Sequence, residues 1–91
     1  MNDVYRALSD PTRRRILELL RTGDMSAGAL QAEFQQSWPT ISGHLRVLRE
    51  ADLVHADRAG TTIRYHLNLS LLEEAMLALL TSFGINREVT P

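Results

Sequence analysis

Leu71, Leu72, Ala75, Met76, Leu77, Leu79, Leu80 and Phe83 fall within thirteen residues, and on a helix they wrap most of the circumference. A helix that is apolar nearly all round needs cover on more than one side. The chain has 91 residues, enough for one domain (1–91) and too few for two. A core that small buries a limited share of the surface, and with no cysteine there is no disulfide to stiffen it. The second side of the helix has nothing left to pack on except another copy of the chain. The sequence thus points to a homodimer. One dimerisation helix spans 70–83, opened by the capping box Ser70-Leu71-Leu72-Glu73 and stopped at Gly84. The other spans 2–8, where Val4 and Leu8 lie four apart. The candidate interface is Val4, Tyr5, Leu8, Leu72, Met76, Leu79, Leu80 and Phe83. Residues 86–91 read as a frayed tail.

Between these arms the punctuation is regular. Asp10 is placed to cap a second helix, and Pro11 suits its first position, where no N–H is needed. Ile16, Leu17, Leu19 and Leu20 form its apolar stripe, which runs to about Thr22 before Gly23-Asp24. Arg13, Arg14 and Arg15 lie in its first turns, where the helix dipole disfavours cations. They are either a solvated face or held by a carboxylate or a phosphate. Ser26 caps a third helix over 27–34, with Leu30 and Phe34 at i, i+4. Gln35-Gln36-Ser37 forms a turn, and Ser37 caps a fourth helix that carries Ile41, Leu45 and Leu48 on one face. Two short helices joined by about three residues make the helix-turn-helix pattern, here over 26–52. Asp52 takes the exit position where glycine is expected, a left-handed conformation that Asp visits at some cost.

Residues 53–67 then change period. Val54 to Arg58 and Thr61 to Leu67 alternate apolar and polar residues, with Ala59-Gly60 as the turn. Pairing about that turn sets Val54 opposite Tyr65 and Ala56 opposite Ile63 on one face. The other face pairs His55 with Arg64 and Asp57 with Thr62. A lone hairpin is hardly stable, so its apolar face must pack on the helices while its tip projects as a wing. The expected architecture is mainly α with a small β-hairpin: five helices and a two-stranded wing.

The formal net charge is -1, which does not advertise a polyanionic partner. Its distribution says more. Residues 1–22 hold five Arg against three carboxylates, and residues 37–66 hold four Arg against three, whereas residues 67–91 hold one Arg against three Glu. All ten basic side chains are Arg, which forks onto guanine or phosphate. No apolar run approaches the roughly 18 residues of a membrane span. The N-terminus lacks the apolar core of a signal peptide. No membrane insertion and a cytoplasmic location are therefore expected.

Behind its apolar back, the fourth helix presents small and polar side chains, a front suited to a DNA major groove. Ser37, Thr40 and Ser42 would donate to phosphates or base edges near the helix N-terminus. Pro39 and Gly43 would allow close approach. Arg46 would fork onto guanine or phosphate, or else pair with Glu50 at i+4. Trp38 either plugs the space between the third and fourth helices or lies on sugar or a thymine methyl. His44 flanks the apolar stripe and is either packed and hydrogen-bonded or a DNA contact. On the wing, Arg58, Thr61, Thr62 and Arg64 would reach the backbone or minor groove, with a solvated surface as the alternative for the arginines.

The stretches Ala7-Leu8-Ser9-Asp10-Pro11-Thr12-Arg13-Arg14-Arg15-Ile16-Leu17 and Pro39-Thr40-Ile41-Ser42-Gly43-His44-Leu45-Arg46-Val47-Leu48-Arg49-Glu50-Ala51 resemble the ArsR/SmtB family of bacterial repressors. The wing segment ending Arg64-Tyr65-His66-Leu67 fits as well, so the likeness covers about residues 2–83. It implies a homodimeric winged helix-turn-helix that joins through its first and last helices and binds a palindromic double-stranded operator. Asp52 departs from the family's usual glycine. The family's sensor residues are absent too: Ser26-Ala27-Gly28-Ala29-Leu30 stands where a Cys-x-Cys pair would bind metal, and the last helix has no His or Asp. The resemblance is thus to the sensor-less branch whose repressors control their own genes, with release by a sequestering partner protein.

His44, His55 and His66 recur every eleven residues, but no cysteine or evident carboxylate completes a tetrahedral set, so no metal and no cofactor are expected. Ser42 and His44 face apart on a helix, and no nucleophile-elbow motif exists; an enzyme is not expected. Two alternatives to the DNA-binding repressor stand beside it. One is a winged-helix protein–protein interaction module that has lost DNA binding, favoured by the near-neutral charge. The other is a repressor sensing a small molecule at the dimer interface.

Overall fold

The computed structural model describes residues 1–85, so the tail expected at 86–91 lies outside the described residues. Its elements run α1 (Asn2–Leu8), α2 (Pro11–Arg21), β1 (Met25–Ser26), α3 (Ala27–Ala32), α4 (Trp38–Glu50), β2 (Val54–Ala59), β3 (Thr62–Leu67) and α5 (Leu69–Ser82). The five helices stand where the periodicity puts them. Asp10 caps α2 by accepting the Arg13 N–H at 3.1 Å, and Ser26 caps α3 by accepting from Ala29 at 3.1 Å. The third helix is shorter than expected, ending at Ala32.

One core joins all of this. Ile16, Leu17 and Leu20 of α2, Leu30 of α3, and Ile41, Leu45 and Leu48 of α4 are buried together with Leu53, Val54, Tyr65 and Ala75. Each fully buried aliphatic side chain contributes about 1.5–3 kcal/mol, which is why the stripe on α4 dictates which face of that helix remains outside. The helix-turn-helix corner is tied by side chains. Gln31 Nε2 donates to the Gln36 carbonyl at 2.8 Å, and Gln36 Nε2 donates to Thr12 Oγ1 at 3.3 Å.

The sheet differs from expectation in two ways. It has three strands, not two, in the order β1-β3-β2, because Met25 and Ser26 pair with Tyr65 and Arg64. A two-residue strand leaves no alternation to detect. The hairpin register is also displaced by two residues: Val54 faces Leu67, His55 faces His66, Ala56 faces Tyr65 and Asp57 faces Arg64. The turn is Gly60-Thr61, with Gly60 at φ +64, so the glycine takes the first central position. Positive φ there suits the twist of a hairpin. A shift of two preserves side-chain parity, so the apolar and polar faces remain as expected.

Asp52 does adopt the left-handed conformation, at φ +63. It closes α4 as a Schellman motif, in which Leu53 N donates to the Leu48 carbonyl and Asp52 N to that of Arg49, both at 3.0 Å. Asn68 Nδ2 donates to the Asp52 carbonyl at 3.0 Å, while its Oδ1 accepts from Leu71 N. Asn68, and not the Ser70 box, is therefore the cap of α5. Asn caps a helix as well as Ser does, and its amide also reaches the strand entry.

Candidate nucleic-acid interface

The exposed front of α4 follows from its buried back. Trp38, Pro39, Ser42, Gly43 and Arg46 line a shallow groove along it. Trp38 is 37% exposed, so it lies at the surface and does not plug α3 against α4. Thr40 is exposed beside it. Ser37 occupies the N-cap position, but its hydroxyl pairs with Thr40 Oγ1 at 3.1 Å and makes no bond to a backbone N–H. A Cβ placed on Gly43 would meet nothing within 4 Å. The fold itself thus has no need of a glycine there, although glycine costs a helix roughly 1 kcal/mol relative to Ala.

Arg46 is exposed and, among the described residues, makes no ion pair; the alternative pairing with Glu50 is not formed. A second groove runs between α4 and β2, lined by Arg46, Arg49 and His55 with Glu50 and Asp52. Arg49 and His55 were not anticipated as site residues. Arg49 lies three residues past Arg46, one helical turn on the same side, and that spacing was the available signal.

On the wing, Arg58, Thr61 and Thr62 are exposed at and beside the tip. Arg64 is exposed too, but its Nη2 donates to the Asp24 carbonyl at 3.0 Å, stapling β3 to the loop before β1. The outer face of the hairpin stacks His55 on His66, centroids 5.7 Å apart, and His66 Nε2 meets Asp57 Oδ2 at 2.8 Å. Among the described residues no three metal-ligating side chains converge.

His44 turns from the α4 front toward α2. Its Nδ1 lies 3.2 Å from Arg13 Nη1 and 3.8 Å from Asp10 Oδ2, and its side chain is 17% exposed. Burial pushes the Asp10 carboxyl up, but the Arg13 N–H, the field of the Arg13 guanidinium and the Thr12 N–H hold the group below its ordinary value. Of the arginines at the start of α2, Arg13 and Arg14 donate to carbonyls at the end of α1. Arg15 pairs with Glu18 at 3.3 Å.

The candidate interface helices distribute unevenly. Val4 is buried in the protomer's own core, 6% exposed, while Tyr5, Leu8, Leu72, Leu79 and Leu80 are half-buried. Met76 and Phe83 are 45% and 74% exposed, and Leu77, absent from the expected set, is 62% exposed.

A short helix, a tied turn and a second helix with an exposed front, set beside a three-stranded wing, define a winged helix-turn-helix domain. Residues 10–56 match the sequence model for bacterial regulatory proteins of the arsR family. The chain is 46% identical over 76 residues to the transcriptional repressor SdpR of Bacillus subtilis, an alignment covering 84% of each chain. It is 37% identical over 73 residues to an arsenical resistance operon repressor of Staphylococcus xylosus, covering 80% of this chain and 70% of that one. The solved ArsR-like transcriptional regulator from Rhodococcus sp. RHA1 superposes with a TM-score of 0.83 at 32% identity, over 91% of this chain and 76% of that one. The chain belongs to the arsR family; it is a transcriptional regulator and not an enzyme.

Proposed function

We propose that this chain is a DNA-binding repressor acting as a homodimer on a palindromic operator, its own promoter included, without bound metal. In this reading residues 1–91 form one domain, α1 and α5 join two copies, and α4 with the wing reads the duplex. The observation that carries it is the front of α4: Trp38, Pro39, Thr40, Ser42, Gly43 and Arg46 lie over a fully buried stripe, with Arg46 unpaired among the described residues. A guanidinium without a carboxylate is suited to fork onto guanine or phosphate, and Gly43 gives a backbone that a duplex can approach closely. Arg49, Arg58, Thr61 and Thr62 extend the cationic and polar strip toward the phosphates, with Arg64 at its edge.

The metal-free reading is supported by donor chemistry. The sequence has no cysteine, and the described part of α5 contains no His or Asp. Release would then come from a sequestering partner protein in the cytoplasm. Small-molecule release is a second reading favoured by one observation, a groove among α1, α2 and α5 lined by Leu8, Leu17, Leu69, Leu72 and Met76 together with Arg14, Glu18 and Arg21.

The test is a mobility shift on the chain's own upstream DNA, with and without divalent metals. The proposal expects a retarded complex that metals leave unchanged. A metal-dependent shift overturns the metal-free assignment, and failure to retard any duplex overturns DNA binding altogether.

A further inference from the structure

Arg13 joins three helices through one guanidinium. Its Nε donates to the Ala7 carbonyl at 2.8 Å and its Nη2 to the Arg6 carbonyl at 3.1 Å. Both acceptors belong to the last turn of α1, the negative end of that helix. The charge that is misplaced at the start of α2 is thus well placed at the end of α1. Its remaining arm, Nη1, reaches His44 Nδ1 at 3.2 Å in the middle of α4. A guanidinium only donates, so Nδ1 accepts, and in this arrangement the imidazole is neutral with its proton on Nε2. Asp10 Oδ2, 3.8 Å from the same Nδ1, accepts the Arg13 N–H and fixes the first turn of α2 beneath the contact.

We propose that Arg13 is a positioning residue for DNA reading. Through His44 it locks α4 to α1, so that the separation of the two reading helices in a dimer is set by the helix on which the dimer forms. The apolar contacts between these helices do not supply this by themselves, because they are non-directional and allow sliding. A forked set of charge-assisted hydrogen bonds is directional and fixes both distance and angle. The proposal rests on the dimeric DNA-binding reading above. It adds that spacing selectivity resides in this junction.

The experiment starts from a duplex enriched from a random library by the wild-type protein. That duplex is resynthesised with one base pair added or removed between half-sites, and fluorescence anisotropy measures each affinity. Wild type should lose about 30-fold on the altered spacing, which rotates one half-site by roughly a tenth of a turn. Arg13→Lys keeps the charge but replaces the planar fork with a point donor; His44→Leu removes the acceptor. Both should bind the original duplex about tenfold more weakly and discriminate spacing by less than threefold. His44→Asn restores a side-chain oxygen near the Nδ1 position and should recover most of the wild-type ratio. Weaker phosphate anchoring common to both duplexes cancels in this ratio. Circular dichroism melts verify folding, and if Arg13→Lys fails to fold, the His44 pair decides. Strict discrimination by Arg13→Lys and His44→Leu, or equal relaxation by His44→Leu and His44→Asn, overturns the proposal. If wild type enriches no duplex, the DNA-binding reading itself falls, and this inference with it.

Discussion

At Arg46 a single side chain separates base reading from phosphate anchoring. It is exposed, unpaired among the described residues, and sits at the end of a groove that begins at Trp38. Arg46→Ala should weaken operator binding by about 1–3 kcal/mol if the guanidinium forks onto a base. Anisotropy on operator and on random duplex distinguishes the roles: an equal loss on both makes it a phosphate contact. Asp10 yields a prediction about stability. Its carboxyl titrates below the ordinary value, so its contribution is fully present above the unfolded value of about 4 and fades as pH falls through the depressed folded value. Asp10→Ala should cost about 1 kcal/mol at neutral pH, the usual effect of removing a cap. Urea unfolding should show the gap to wild type narrowing below about pH 4. Such local chemistry was legible in the sequence, since Asp10 and Ser26 cap residues three positions away. The partners of Arg13 and Arg14 were not, because carbonyls on another helix become acceptors only after α1 folds back on α2.

Among the elements, α5 differs most from its neighbours. Only Ala75 is fully buried on it, with Leu71 and Leu72 packed against the core, while Met76, Leu77 and Phe83 stand in solvent. If a second copy covers that face, each large side chain removed from water stabilises the dimer by about 1.5–3 kcal/mol per protomer. Met76→Glu should therefore raise the dimer dissociation constant by at least tenfold, as read by sedimentation at micromolar concentration. A protomer that sediments identically with and without the substitution counts against the α5 seam. The helices were legible because each keeps its apolar period and a cap. The hairpin was legible in its faces but not its register: Gly60 fits either central turn position, and only the closed pairing decides between them. Strand β1 carries too few residues for any period, and the β3 edge alone defines it. On α1, the pattern marked Val4 as apolar without showing that the protomer's own core uses it.

For the molecule as a whole, net charge misleads where charge placement informs. A chain of formal charge -1 places Arg46, Arg49 and Arg58 on α4 and the wing and the Glu73-Glu74 pair on α5. If two copies present about six such cations to a duplex, affinity should fall on the order of a thousandfold between 50 and 200 mM salt. An affinity nearly independent of salt would favour the protein-interaction alternative. The central claim is that two chains, joined through their outer helices, engage one duplex together. Sedimentation equilibrium of the protein with its own upstream duplex tests this most directly. The expected result is a complex whose mass holds two protomers per operator, with no stable one-protomer species. A complex of one protomer per duplex, or no complex at all, would contradict it.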